Sequence, residues 1–225
     1  MKQTIISRFL AIALMMTTGN LAANAGWTDN LSPYDLNAPL GWATVDGNVT
    51  GGEGGTKVTV TNKTELMNAL KGTDKKIIYV DGEIEFSGLT NVKSVQNKTI
   101  IGMKGAAFVN SKHSASVSET GIMQLSSCKN IILRNIIFKS AGAYDIDGND
   151  NLTIIGSTYI WVDHCDFQDG VDGNFDCVNG SDNICVTWCR FRYLIAPWAG
   201  GSGGSNDHRN CDLWGNSDKR SGDEG

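Results

Sequence analysis

Three nine-residue segments of this chain repeat one order of apolar and polar positions and align without gaps: Asn130 to Phe138, Tyr159 to Phe167, and Asn183 to Phe191. The second, fourth, seventh and ninth positions are apolar in each. They are Ile131, Leu133, Ile136 and Phe138 in the first, Ile160, Val162, Cys165 and Phe167 in the second, and Ile184, Val186, Cys189 and Phe191 in the third. The second and fourth positions keep the period of two that marks a strand with one buried face. The step of three to the seventh position implies a bend between two strands. The segments start 159 − 130 = 29 and 183 − 159 = 24 residues apart. Repeats this short cannot bury an apolar face alone, and β-rich ones with Asn and Gly at their turns stack as coils of a parallel β-helix, like residue over like at about 4.8 Å. An all-β, right-handed parallel β-helix is therefore predicted from about Lys57 to Trp214. Ile131, Ile160 and Ile184 should form one internal column, and Phe138, Phe167 and Phe191 another.

Shorter apolar runs fill out the coils. Leu152 to Ile155 and Phe175 to Val178 precede the second and third repeats, as expected when each coil contributes to more than one sheet. Val58 to Val60, Lys76 to Val80 and Lys98 to Gly102 read as earlier strands. One short helix is predicted over Glu65 to Leu70, with Thr64 or Asn62 as its N-cap. Its place is over the apolar end of the solenoid, which would otherwise be an exposed edge.

Composition agrees, since 27 glycines against 3 prolines favour strands joined by tight turns. Residues 1–25 hold two cations, Lys2 and Arg8, and no acid, then an apolar run from Phe9 to Met16, then Ala23-Asn24-Ala25. That order is a secretory signal peptide, which leaves residues 26–225 as one β-helix domain. Removing Lys2 and Arg8 from 19 cations leaves 17 against 24 acids, a net charge of −7. An acidic chain of this kind is not a nucleic-acid binder, and nothing after the signal is apolar for long enough to span a bilayer. The expectation is a secreted or periplasmic protein, a monomer free of the membrane. Six cysteines lie between Cys128 and Cys211 without the paired spacing of a zinc site. For Cys165 and Cys189, at matching inward positions on successive coils, two buried free thiols are expected, because parallel side-chain directions make a bridge awkward.

The chain resembles the pectate lyases of polysaccharide lyase family 1. The resemblance rests on Gly41-Trp-Ala-Thr-Val45, Thr50-Gly-Gly-Glu-Gly-Gly-Thr-Lys-Val58, Ile77-Ile-Tyr-Val-Asp-Gly82, Thr99-Ile-Ile-Gly102, Asn130-Ile-Ile-Leu-Arg-Asn135 and Trp161-Val-Asp-His164, in that order and spacing. It implies a right-handed parallel β-helix that cleaves polygalacturonate, with calcium as cofactor. The family's calcium ligands fall on Asp150, in Asp-Asn-Leu-Thr-Ile, and on Asp172 and Asp176, in Asp-Gly-Asn-Phe-Asp. Trp161, Asp163 and His164 match a signature that is structural in the family. The base implied by the family is an arginine in an Arg-x-Pro-Arg-Val-Arg-like strand. It would be expected beyond Ser217-Asp218 and has no match here, so the resemblance implies a lyase scaffold and metal site with the C-terminal coils and the base missing.

The residues suit that chemistry. Elimination removes a C5 proton alpha to a carboxylate, and calcium, which takes six to eight hard oxygens, can be held by two or three aspartates while substrate carboxylate and water complete its shell. It also reconciles an acidic protein with an acidic polymer. The plainer reading of the same aspartates is turn formation, and Asp145 and Asp147 stand between the two. His164 reads as a hydrogen-bonded structural residue before a general base. Arg209, beside His208 in a Gly/Ser/Asn-rich loop, could bind a uronate carboxylate through its guanidinium fork or be a solvated loop cation. Trp198 and Trp214 could stack on sugar or pack inside. Two other functions compete. One is a non-catalytic, calcium-bridged pectin-binding β-helix. The other is a polygalacturonase-type glycoside hydrolase, which would need paired carboxylates and motifs this chain lacks.

Overall fold

The computed structural model describes residues 39, 41–47, 49–142, 146 and 148–195, together with the backbone of 213–216. Three parallel sheets run the length of a right-handed β-helix. The first holds β1 (Thr56–Val60), β2 (Lys76–Val80), β5 (Gln96–Gly102), β8 (Lys129–Arg134), β11 (Thr158–Asp163) and β14 (Asp182–Thr187). The second holds β4 (Thr90–Lys93), β7 (Met123–Ser126), β10 (Leu152–Ile155), β13 (Phe175–Val178) and β16 (Leu213–Asn216). The third holds β3 (Glu83–Glu85), β6 (Ala107–Asn110), β9 (Ile137–Ser140), β12 (Asp166–Gln168) and β15 (Arg190–Arg192). From β4 onward each coil visits the second, first and third sheets in turn.

The repeat alignment holds residue for residue. Ile131, Ile160 and Ile184 share one register column, Leu133, Val162 and Val186 the next, and Phe138, Phe167 and Phe191 a third. The phenylalanine rings stack at 4.8 and 5.0 Å between centroids, with Phe108 meeting Phe138 edge-on at 5.3 Å. The predicted bend is a left-handed backbone step at the sixth repeat position, where Asn135, His164 and Trp188 have φ of 57°, 51° and 53°. A second such step recurs at the first position, at Asn97, Asn130, Tyr159 and Asn183. Asparagine tolerates that conformation better than most L-residues because its short amide can bond locally. Here the Asn130 amide donates to Asn97 Oδ1 at 2.7 Å, so the corner is also a hydrogen-bonded ladder.

Both the first end and one outer face of the solenoid are covered. The helix α1 (Lys63–Leu70) begins two residues before the predicted start. Asn62 is its N-cap, accepting from the Glu65 N–H at 3.0 Å, while the Glu65 carboxylate accepts the Thr61 N–H at 2.9 Å. Those two bonds satisfy orphan donors, and the Thr61 N–H above all draws the Glu65 carboxyl below its usual range. Leu66 and Leu70 are buried against β1 and β2. Residues 41–47 and 49–52 lie on the outer face of the first sheet, where Ala43 and Val49 form a small second core with Ile132 and Trp161. Gly52 permits this approach, because a Cβ there would stand 1.9 Å from the Lys76 carbonyl oxygen. Gly51 and Gly55 pack as closely, against Thr99 and the Lys75 carbonyl, whereas Gly54 has open space around it and a φ of 76°. At the far end of this cover Trp42 Nε1 donates to Asp182 Oδ1 at 2.7 Å and holds that carboxyl below its usual range.

Candidate functional site

The outer face of the second sheet carries the predicted acidic site. Asn91, Gln124, Thr153 and Asp176 occupy one register column, and Trp214 continues it in backbone position. Leu152 and Ile154, both fully buried, turn inward from β10, so Thr153 between them must face out. Its hydroxyl donates to Asp150 Oδ2 at 2.9 Å. Asp150 occupies the corner before β10, is only 7 % exposed, and accepts the Ile122 N–H on its main-chain carbonyl at 3.3 Å.

A buried amide pair brings the other aspartate-bearing corner alongside. Asn151 and Asn174 are fully buried, and Asn151 Nδ2 donates to Asn174 Oδ1 at 2.9 Å and to the Gln168 carbonyl at 2.8 Å. The Ser140 hydroxyl donates back to Asn151 Oδ1 at 2.7 Å. The Asn151 N–H meets the Gly173 carbonyl at 3.3 Å, which sets Asp150 beside the turn that carries Asp172. Asp172 and Asp176 are both half-buried. The backbone therefore places Asp150 and Asp172 at corners of two adjoining coils and Asp176 within β13, beside Thr153. Among the described residues, however, no three His, Cys, Asp or Glu side chains gather into a group that could hold a metal ion. Asp145, Asp147, His208, Arg209 and Trp198 lie outside the described residues, as do the signal segment 1–25 and the Trp214 side chain.

The Trp161-Val-Asp-His164 run lies on a different face and performs a different task. Asp163 is fully buried on the outer side of the first sheet, where it shares one register column with Arg134 and Thr187. Thr187 Oγ1 donates to Asp163 Oδ1 at 2.6 Å and accepts from Trp161 Nε1 at 2.7 Å. Arg134 Nε and His164 Nδ1 approach Asp163 Oδ2 at 2.9 and 2.8 Å, off the axis of an aligned hydrogen bond, so the first is a close ion-pair contact and the second a close polar contact. The Arg134 guanidinium also lies 5.2 Å from the Trp161 ring centroid. This network knits three coils together under the segment 41–52, and His164, stacked 6.2 Å from Trp188, belongs to it. The structural reading of this signature follows from those contacts.

A second buried carboxylate was legible only in the repeat alignment. Asp166, at the eighth repeat position and 1 % exposed, faces Arg190 at the same position one coil on. Arg190 and Arg192 each direct Nε and a terminal nitrogen to it, at 3.2 and 2.7 Å in both cases. The column of Arg134, Asp163 and Thr187 at the fifth position carried the same kind of signal. Thr153 gave none, because a lone threonine in a strand is unremarkable until the register sets it next to Asp176.

Among the described residues, Cys128, Cys165, Cys177, Cys185 and Cys189 are free thiols. The expectation that both Cys165 and Cys189 are buried needs correcting. Cys165 is fully buried, whereas Cys189 is half-buried because it sits on the last coil described. Burial, and then a hydrogen bond with Cys189, pushes the Cys165 thiol well above its ordinary range. Among the described residues, no helix is long and apolar enough to cross a membrane.

Comparison with known proteins places this geometry. A family profile described as pectate lyase matches residues 12–191. A pectate trisaccharide-lyase of Thermotoga maritima is 32 % identical over 195 residues, which is 80 % of this chain and 46 % of that protein. A pectate lyase of Emericella nidulans is 32 % identical over 178 residues, 76 % of this chain and 49 % of that one. The chain thus spans about half the length of the curated relatives it matches. Among solved structures, a Bacillus subtilis pectate lyase superposes with a TM-score of 0.58 at 22 % identity, covering 83 % of this chain and 64 % of the other. A pectate lyase bound to a hexasaccharide superposes with a TM-score of 0.51 at 22 % identity, covering 67 % and 57 %. At those identities the likeness shows the shared fold.

Proposed function

The chain belongs to the pectate lyase family, and from that premise we propose that it serves calcium-dependent β-elimination of polygalacturonate on the outer face of the second sheet. The observation that carries the reading is the placement of Asp150 beside the Asp172 turn and of Asp176 beside Thr153, on two adjoining coils. Three carboxylates are hard oxygen donors, the type calcium takes, and fit it in chemistry. Among the described residues they form no group that could hold the ion by itself, and so no closed cage. A site that substrate carboxylates complete needs none. When bound, calcium offsets the charge that develops on the uronate carboxylate as its C5 proton leaves.

The chain's own residues have separate tasks in this reading. Asp150, Asp172 and Asp176 hold the ion, and the column of Asn91 and Gln124 extends the same outward face as neutral polar surface for a sugar chain. The Asp163 network and the phenylalanine columns keep the coils in register beneath. No strand of the Arg-x-Pro-Arg-Val-Arg type occurs in the 225 residues. None of the residues named here is assigned as the base of the reaction, and a positioned base contributes about 10² to 10⁴ in rate. Arg209 remains the proposed partner of a substrate carboxylate. The protein is proposed to act outside the cytoplasm, as the signal segment implies.

The test measures retention of the 225-residue chain on polygalacturonate with calcium and with chelator, alongside ultraviolet absorbance of the sugar products. Calcium-dependent retention with little unsaturated product is expected. Retention that ignores the chelator would remove calcium from the reading, and new reducing ends without ultraviolet absorbance would make the protein a hydrolase. Robust chelator-sensitive elimination by these residues alone would place the base within them, with Arg209 the first to substitute.

A further inference from the structure

We propose that the outer face of the third sheet carries a second, calcium-independent contact for polyuronate, built from Arg190, Arg192 and Lys139; the inference rests on the reading above that the polymer is polygalacturonate. Phe191 stacks inward on Phe167 at 5.0 Å, so Arg190 and Arg192 on either side of it must point outward from β15. Phe138, buried in the core, fixes Lys139 in the same way on β9. Lys139, Gln168 and Arg192 share one register column, which sets Lys139 two coils from Arg192, about 9.6 Å along the axis. Lys139 is exposed, and the Arg190 and Arg192 side chains are 37 % and 32 % exposed. Three cations thus share one face of a chain whose net charge is −5.

Pairing with Asp166 does not account for that much positive charge. Its buried carboxylate receives two N–H donors from each arginine and one from Gln168 Nε2 at 2.7 Å, against roughly four lone-pair directions on its two oxygens. One guanidinium would neutralise it, so the second is surplus. The other carboxylate nearby, Asp169, is equally buried and accepts the Leu194 and Ile195 N–H groups at 2.6 and 2.9 Å. The acids are turned inward while the cations meet solvent. Asp166 takes two of about five N–H donors of Arg192 and fixes the plane of the whole fork. A carboxylate arriving from solvent therefore meets a planar cation that is already ordered, which lowers the cost of binding it. The plainer alternative is an arginine pair that only clamps β15 to β12. It predicts lost fold stability on substitution and unchanged binding of polymer.

The affinity of the 225-residue protein for polygalacturonate oligomers, measured in chelator at low salt, separates the two. Wild type, Arg192→Gln, Lys139→Gln and Lys71→Gln are compared, with thermal unfolding of each. Lys71, exposed at the end of α1, is the control of equal charge change. Arg190 still neutralises Asp166 in Arg192→Gln. Arg192→Gln is expected to weaken binding about fivefold or more and Lys139→Gln about two- to fivefold, with Lys71→Gln unchanged. Salt of about 1 M should abolish what remains. Should Arg192→Gln fold poorly, Lys139→Gln carries the test alone. Wild type that binds the polymer with calcium but not in chelator overturns this inference and leaves the calcium reading intact. Equal loss in Lys71→Gln, or none in Arg192→Gln and Lys139→Gln, overturns it too. Single-stranded DNA or fully methyl-esterified polymer bound as tightly as polygalacturonate would show that uronate carboxylates are not what the face selects, and overturns it as well. Binding that calcium fails to strengthen, yet that both variants weaken, supports this inference and overturns the calcium reading. No binding under either condition overturns both.

Discussion

Truncating Phe167 should cost far more than truncating Phe191, although the two occupy the same repeat position. The Phe167 ring has no exposure and stacks on Phe138 at 4.8 Å and on Phe191 at 5.0 Å, with Phe175 edge-on at 5.5 Å. Removing such a ring leaves a cavity walled by coils on both sides that cannot collapse, and a buried Phe→Ala change costs about 3 to 5 kcal/mol. Each lost ring pair adds about 0.5 to 1.5 kcal/mol to what its area explains, which puts Phe167→Ala at the upper end. Phe191 meets Phe167 and Phe175 but is only half-buried on its strand, so roughly half the transfer and cavity loss applies. Against a total of roughly 5 to 15 kcal/mol, the first change removes a third or more of the stability. At about 2 to 4 °C per kcal/mol, Tm should fall by about 6 to 20 °C for Phe167→Ala and by about half as much for Phe191→Ala. Urea unfolding followed by far-ultraviolet circular dichroism gives the same ranking through its midpoints. Equal losses for the two variants would refute the reasoning, because they would mean that Phe191 is as fully enclosed as Phe167.

Two further predictions concern groups away from the acidic face. Asp163→Leu removes the carboxylate that Arg134, His164 and Thr187 surround, and breaking a buried ion pair from one side costs about 3 to 5 kcal/mol; a loss below about 1 kcal/mol, the scale of an exposed pair, would show that the network is not enclosed. The buried thiols of Cys128 and Cys165 should make the fold labile to alkali. Their pKa is raised in the folded state, above all by burial, so their stabilising effect is full below the ordinary thiol value of 9.0 and is lost as pH rises through the folded value. Urea midpoints should fall from about pH 9 upward, less steeply in Cys165→Ala than in wild type, and parallel slopes would exclude the thiol as the cause.

The fold was legible because a solenoid writes its tertiary contacts into its local pattern. When each coil rests on the one before it, residues that match in sequence are residues that touch, so aligning three nine-residue segments was already a statement about register. The inward columns of Ile131, Ile160 and Ile184 and of Phe138, Phe167 and Phe191 followed from that logic. So, to a closer reading, would the ion pairs at the fifth and eighth positions. The strand spans and the Asn62 cap were equally local, since period-two patterning and a side chain that can accept an N–H three residues on need no distant partner.

Other features depend on segments that do not repeat, and there only the tertiary structure decided. That Gly52 and Gly55 let one backbone pass close to another appears when they are found against Lys76 and Lys75. That Trp161 and Asp163 lie beneath a covering segment, away from the acidic corners, required the N-terminal residues to be placed. The sequence offered Asp150, Asp172 and Asp176 as three separated turn-forming acids. Their arrangement on adjoining coils comes from the Asn151–Asn174 amide pair and from the register of β10 with β13, which set Thr153 beside Asp176. A pattern of apolar residues says which side chains turn inward, because burial dominates their energy. It says little about polar groups on the outer face, whose partners are chosen by the rotation of one coil on the next.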